Sequence, residues 1–478
     1  RLLISGGPLV ALSLSHEPMT NDGYSPTTAA SAPRGSAEGA PWPAPEASGA
    51  LKATLTIPGS KSLTNRELVL AALAEGPSHL FAPLHSRDSE RMIAGLTALG
   101  VAFTPIPGSG RYGPDLLVTP PERLSAGGTV DCGQAGTVMR FVPPLAGLVA
   151  GEVHFTADAN ALHRPMGPMI RALRELGVDV DDAGHWALPF SVRGHGHVRG
   201  GELDIDASTS SQFVSGLLLA ASRFDVGMRL RHTGRTLPSV PHIDMTVEAL
   251  LHRGVHVERP TAREWVVASG PIRAKDIAVE PDLSNASPFL AAAMVAGGTV
   301  AITGWPLHST QPGALLTEYL PQMGARVSRR GGVLTVTGRG ITGATLDLSA
   351  AGELTPTFVA LAALADSPSE FTGIGHLRLH ETDRLAALTA EINALGGEVT
   401  ELEDGLRIVP RPLHGGVWHS YHDHRMATTG AILGLAVPGI LIDDIQTTAK
   451  TLPEFTELWH AMLEGTHEDA AVQGDASA

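Results

Sequence analysis

MGPMIRALRELGVDV, residues 166–180, sets the pattern from which the rest of the chain is read. Met166, Met169, Ile170, Leu173 and Leu176 fall at the three- and four-residue spacing of one helix face. Gly177 then caps the helix and Val178 starts a strand-like run. The same ending recurs at Ala98-Leu99-Gly100-Val101, His252-Arg253-Gly254-Val255, Gln322-Met323-Gly324-Ala325 and Ala394-Leu395-Gly396-Gly397, with a weaker form at Met462-Leu463-Glu464-Gly465. Successive glycines stand 77, 77, 70, 72 and 69 residues apart, so the chain is a six-fold internal repeat.

Each copy also carries an earlier, Ala-rich helix with a polar first turn. These helices begin near Ser60-Lys61-Ser62, Gln134-Ala135-Gly136-Thr137, Ser210-Ser211-Gln212, Ser284-Asn285, Glu353-Leu354-Thr355 and Asp423-His424-Arg425. A helix that is apolar nearly all round is buried, and its polar N-terminus then needs partners or a ligand. Six units of two helices and intervening strands imply two similar α/β domains of three units each. Any one such helix start, taken alone, reads more readily as an ordinary N-cap. Six of them, several with basic side chains, suit anions through free N–H groups and the helix dipole.

Composition narrows the partners. Of 478 residues, 43% are hydrophobic and 17% charged, enough for large buried cores. A net charge of −15 argues against a nucleic-acid or anionic-membrane surface. Cys132 is the only cysteine, which excludes an internal disulfide framework and any CxxC zinc site, and no HExxH spacing occurs, so no metal is expected. The longest uncharged stretch, Leu283–Thr317, is broken by Pro288, Gly297, Gly298, Pro306 and Pro312, so no membrane span is expected either. Residues 1–48, rich in Pro, Ala, Ser and Gly, read as a flexible extension, and residues 466–478 as a flexible tail. A cytoplasmic monomer is expected.

Lysine is rare, four among 34 basic residues, which draws attention to where it falls. PGSKSLTNR (58–66) puts Lys61, hydroxyls and Arg66 on the first turns of a buried helix, a combination suited to phosphate or carboxylate. It is not a P-loop, because Ser60 stands where that motif has glycine. HETDR (380–384) packs an imidazole, acids and a cation into one helix start, and Arg425 opens an uncharged run that needs a negative partner. Lys450 precedes Leu452-Pro453-Glu454-Phe455, a further helix start.

Taken together, PGSKSLTNR (58–66), GQAGTVMR (133–140), STSSQF (208–213), HETDRL (380–385), DHRMA (423–427) and TAKT (448–451) resemble, in order, the enolpyruvyl transferases, and among them the branch acting on shikimate 3-phosphate. The likeness runs from about Leu51 to Trp459. It implies two domains of three βαβαββ units, with the chain crossing between them near Lys61 and near Asp282. One domain would then be residues 49–60 with 282–465, and the other residues 61–281.

The implied reaction moves the enolpyruvyl group of phosphoenolpyruvate to the 5-hydroxyl of shikimate 3-phosphate, with no metal or organic cofactor. Matched position by position, Lys61, Gly136, Arg164, Gln212, Arg384, Arg425 and Lys450 would hold phosphoenolpyruvate. Ser62, Arg66, Ser210, Ser211, Gln212, Ser239, Glu353 and His380 would hold shikimate 3-phosphate. Glu353 would accept the hydroxyl proton, Glu381 would protonate the methylene carbon, and Lys61 would assist the departing phosphate.

The chain departs from the family's better-known members at Gln134 (for Asn), His242 (for Tyr), Glu353 (for Asp), His376 (for Asn) and His380 (for Lys). An imidazole at 380 places an ionisation in the pH profile between about 6 and 8.5. Two other readings compete: the sister transferase of cell-wall synthesis acting on UDP-N-acetylglucosamine, which relies on a reactive cysteine, and an inactive anion-binding repeat protein.

Overall fold

The computed structural model describes residues 40–108, 111–125 and 128–465. Their strands form six sheets, five of four strands and one of three. Thr129–Asp131, Ala150–Thr156, Phe190–His195 and Asp179–Asp181 show the common plan: two parallel strands, then an antiparallel hairpin whose second strand pairs inward. The parallel pair is joined by the wholly buried helix Gly136–Ala146, and the hairpin is reached through the amphipathic helix Gly167–Glu175.

The same arrangement repeats around helices Gln212–Ala221 and Val240–His252, and around Thr355–Ala363 and Arg384–Ala394. The repeat glycines Gly100, Gly177, Gly254, Gly324, Gly396 and Gly465 all take φ between 76° and 98°. That backbone closes a helix without the Cβ clash other residues suffer.

Two units complete themselves by exchange. Leu51–Leu55 precedes helix Lys61–Ala72, yet pairs in parallel with Gly298–Thr303 in another sheet. Ile277–Ala278 supplies the equivalent strand beside Ser78–Phe81. The apolar interior is correspondingly double. One core gathers residues from Leu68 to Ile277, and the other takes Ala44 to Ile57 together with Leu283 to Met462.

Where the chain passes between cores, its two strands touch. Gly59 bridges Pro281, Ser60 N donates to Glu280 O (2.7 Å), Asp282 N to Pro58 O (2.8 Å), and Lys61 N to Asp282 Oδ2 (3.0 Å). A Cβ on Gly59 would stand 2.4 Å from Ala82 O, so only glycine permits this crossing.

One expectation is corrected. Within the segment read as a flexible extension, Trp42–Pro43 forms a strand antiparallel to Leu441–Ile442, and Ala44 is buried in a core. This pairing completes the three-stranded sheet and covers the edge of Ile440–Ile442 that would otherwise stay open. Residues 1–39 and the tail 466–478 lie outside the described residues.

Candidate active site

The N-termini of all six buried helices open onto one cleft of about 1110 Å³, part of it open to solvent. Its wall brings together Lys61, Ser62, Gly136, Arg164, Ser210, Ser211, Gln212 and Ser239 with Glu353, His380, Glu381, Arg384 and Arg425. The first eight come from segments of the Leu68–Ile277 half, and the last five from the other half. Of the residues singled out from the sequence, Arg66 and Lys450 stand behind the wall.

Arg66 is buried with every branch engaged: Nε donates to Thr246 Oγ1 (2.8 Å), Nη1 to Ser62 O (2.8 Å), and Nη2 to His242 O (2.8 Å) and Ser215 Oγ (3.4 Å). Lys450 Nζ donates to Glu381 Oε1 (2.7 Å).

Glu381 and Glu353 face this cationic wall, as does Asp282. Glu381 accepts from Lys450 and, through Oε2, from Arg384 Nη2 (3.1 Å). Burial alone would raise its pKa, but Lys450, Arg384 and Arg164 outweigh burial and hold the carboxyl well below its usual range. Glu353 accepts from Ser284 Oγ (3.0 Å) and meets His242 Nε2 (3.2 Å). Here too burial acts upward, and His242, Arg425 and the Ser284 hydroxyl prevail, keeping Glu353 ionised.

The cations are held by backbone carbonyls and by acids behind the wall. Arg384 grips Asp423 with Nε (2.7 Å) and Nη2 (3.1 Å), while Arg164 Nη1 donates to Gln134 O (3.0 Å) and Arg425 Nη1 to Ser284 O (2.8 Å). The Nε atoms of Arg140 and Arg164 are buried without a hydrogen-bond partner among the described residues. Such donors are costly to leave unsatisfied and suit an anionic ligand. Lys61 Nζ lies 3.2 Å from Asp88 Oδ2.

In the free protein burial, then Arg384, lowers the pKa of His380 well below 6.5, whereas the ionisation expected between pH 6 and 8.5 belongs to turnover with both substrates bound. His376 is likewise lowered by burial, to about 4.

Several wall residues had no role assigned from sequence: Arg140, His242, Ser284, Asn285 and His424. Arg140 carried a signal, a cation one turn into a buried helix. His242 carried only its departure from the family pattern, because its partner Glu353 lies 111 residues away.

Six sheet-and-helix units around a cleft lined from both halves by cations, with the ionised Glu353 and Glu381 among its acids, define an enolpyruvyl-transferase-type protein. Residues 45–459 match the EPSP synthase (3-phosphoshikimate 1-carboxyvinyltransferase) family. The 3-phosphoshikimate 1-carboxyvinyltransferase of Kocuria rhizophila is 58% identical over 428 residues, 88% of this chain and 96% of that one. An EPSP synthase structure from Acinetobacter baumannii superimposes with a TM-score of 0.71 at 25% identity, covering 87% of this chain and 97% of its own. The enolpyruvyl transferase NikO from Streptomyces tendae shares the fold, with a TM-score of 0.67 at 16% identity over 88% of this chain and 96% of its own. The chain belongs to the EPSP synthase family.

Proposed function

We propose that this chain transfers the enolpyruvyl group of phosphoenolpyruvate to the 5-hydroxyl of shikimate 3-phosphate, releasing phosphate, as a step of aromatic amino-acid biosynthesis. The observation that carries the reading is the convergence of Lys61, Arg164, Arg384 and Arg425 with Glu353 and Glu381 on one cleft. Two multiply charged anions repel each other, and a cationic wall contributed by both halves offsets that repulsion.

In this reading Lys61, Arg164, Arg384, Arg425 and Lys450 hold phosphoenolpyruvate, with Gly136 leaving room and Gln212 touching both substrates. Ser62, Ser210, Ser211 and Ser239 hold shikimate 3-phosphate, with Arg66 fixing Ser62 through its carbonyl. The hydroxyl oxygen bonds to C2 of phosphoenolpyruvate as its proton passes to Glu353, and the methylene carbon takes a proton from Glu381. The methyl carbon then returns a proton to the Glu381 carboxylate as the C2–O bond to phosphate breaks, and the carbon–carbon double bond reforms.

Glu381 is ionised in the free protein because Lys450 and Arg384 hold it. Those same cations are assigned to phosphoenolpyruvate. Substrate binding therefore loosens their grip and raises the basicity of Glu381 toward what proton transfer requires.

We assign residues 49–60 with 282–465 to one domain and 61–281 to the other. This reading is supported by two separate cores and by the Gly59–Pro281 crossing. A cytoplasmic monomer is part of the proposal. No helix among the described residues is long and apolar enough to cross a membrane.

The cell-wall reading needs a reactive thiol. Cys132 is fully buried, and burial with Asp131 pushes its pKa up to about 12. The test is phosphate release from phosphoenolpyruvate with shikimate 3-phosphate, run beside UDP-N-acetylglucosamine. Turnover only with the sugar nucleotide, or loss of turnover in a well-folded Cys132→Ser variant, overturns the proposal.

A further inference from the structure

Glu353 is held from two sides by different halves of the molecule. Ser284, from its own half, donates to Oε1 at 3.0 Å, and His242 Nε2, from the opposite half, stands 3.2 Å from Oε2. Both side chains of the His242–Glu353 pair are largely buried, at 18% and 16% exposure, so solvent competes weakly for the contact.

The His242 backbone is fixed as firmly as the ring is aimed. Its carbonyl accepts from Arg66 Nη2 (2.8 Å), Thr246 Oγ1 (3.0 Å) and Ser215 Oγ (3.3 Å). Ser239, at the N-terminus of the same helix, turns at φ 51° and donates its N–H to Ser349 O (2.9 Å), four residues before Glu353. The helix start thus meets the Glu353 segment twice across the cleft.

From this geometry we propose that His242 is a positioning residue for proton transfer, orienting Glu353 from across the cleft so that the proton acceptor is complete only when the two halves meet. The proposal rests on the reading of Glu353 as the acceptor of the 5-hydroxyl proton. A carboxylate with one oxygen on Ser284 and the other on His242 has no free rotation. Glu353 itself lines the cleft, where a substrate hydroxyl would meet it. Without His242, Oε2 loses its partner and the carboxylate turns about Cγ–Cδ, lengthening the path of the proton.

This role separates catalysis from binding. His242→Phe removes the donor and keeps a ring. It is expected to lower kcat at least about tenfold, part of the 10²–10⁴ that positioned proton transfer contributes, with KM for phosphoenolpyruvate within about twofold. His242→Gln places an amide N–H near the Nε2 position, and His242→Tyr supplies a phenolic O–H. At least one should restore most of the lost turnover, a rescue that a purely structural role does not produce.

The decisive measurement is steady-state kinetics of His242→Phe, Glu353→Gln and the double variant, with thermal unfolding as the control for folding. If His242 acts through Glu353, the Phe substitution costs little further turnover in the Glu353→Gln background. Fully additive losses, or a His242→Phe enzyme with parental kcat, overturn the positioning role. Unchanged turnover in Glu353→Gln alone overturns instead the underlying assignment of Glu353, so the two failures are distinguishable. If His242→Phe fails to fold, the Gln and Tyr variants decide. Should both fold and lose kcat as far as Glu353→Gln does, donation to Glu353 is not what matters and the proposal falls.

Discussion

Lys450 Nζ stands 2.7 Å from Glu381 Oε1, and both side chains are nearly shut off from solvent. A buried ion pair of this kind is a weak source of stability but a strong control on basicity, because each charge is felt at low screening. In the free protein the pair keeps Glu381 ionised, and a substrate anion that draws Lys450 away releases it. Lys450→Met is therefore expected to weaken phosphoenolpyruvate use without touching the other substrate. A roughly hundredfold fall in kcat/KM for phosphoenolpyruvate is expected, the size of a charged hydrogen bond lost. The dissociation constant for shikimate 3-phosphate alone, measured by calorimetry, should stay within about threefold. Equal losses for both ligands would remove Lys450 from the phosphoenolpyruvate half of the site.

Gly136 is tight for a different reason. A Cβ there would lie 2.9 Å from Arg164 Nη2, 3.0 Å from Gln212 Oε1 and 3.2 Å from Arg140 Nη1. These are ends of side chains rather than backbone, so Gly136→Ala should fold while pushing two cations and an amide out of place. The expected result is a KM for phosphoenolpyruvate raised about tenfold, the lower range of an overpacking cost, with a smaller change in kcat. An unchanged KM would mean that the arginines re-seat freely.

The repeat and the helix starts were legible because their signals are local. A glycine at positive φ after an apolar helix face shows in four or five residues, and a lysine on an otherwise apolar helix is conspicuous anywhere. Long-range pairing is not written locally. Nothing in Leu51–Leu55 says that it joins Gly298–Thr303 rather than a neighbour, and Trp42–Pro43 sits in a segment whose composition reads as linker. Arg66 looked like a ligand-facing cation, because its four donor contacts come from residues up to 180 positions away. Charge on the imidazoles was illegible for the same reason, since burial decides it.

That burial has a consequence for stability. His376 is lowered to about 4, chiefly by burial, while the unfolded chain binds a proton near 6.5. Between those values the unfolded state carries more protons, so the native state loses stability as pH falls from 6.5 toward 4. Roughly 2 kcal/mol from this one group is expected across the window, after allowing for relaxation around the ring. His380 and His424, also depressed by burial, act in the same direction. Denaturant unfolding at pH 7.5 and 5 should show the loss, and His376→Asn should make the pH slope shallower. A slope identical to the parent's would mean that His376 titrates alike in both states.

His380 tests how ligands rewrite that electrostatics. Its ring nitrogen Nδ1 lies 3.4 Å from Arg384 Nη1 and 4.0 Å from Glu381 Oε2, so a cation and an anion contend over one imidazole. In the free protein burial and Arg384 win, and the ring is neutral at pH 7. The pH profile of kcat/KM reports the free enzyme, and its His380 limb is therefore expected below pH 6.5. The profile of kcat reports the complex. Bound phosphate and carboxylate groups favour the imidazolium, so the same limb should move upward there. His380→Lys fixes the charge that the ring only acquires with substrate, and it should abolish the limb from both profiles while keeping measurable turnover. Glu353→Gln should lower turnover at every pH instead, because an amide accepts no proton. Steady-state rates from pH 5 to 9 for parent and both variants separate these outcomes. Superimposable parent and His380→Lys profiles would make His380 a bystander, and a kcat limb lying below the kcat/KM limb would reverse the sign of the ligand effect argued here.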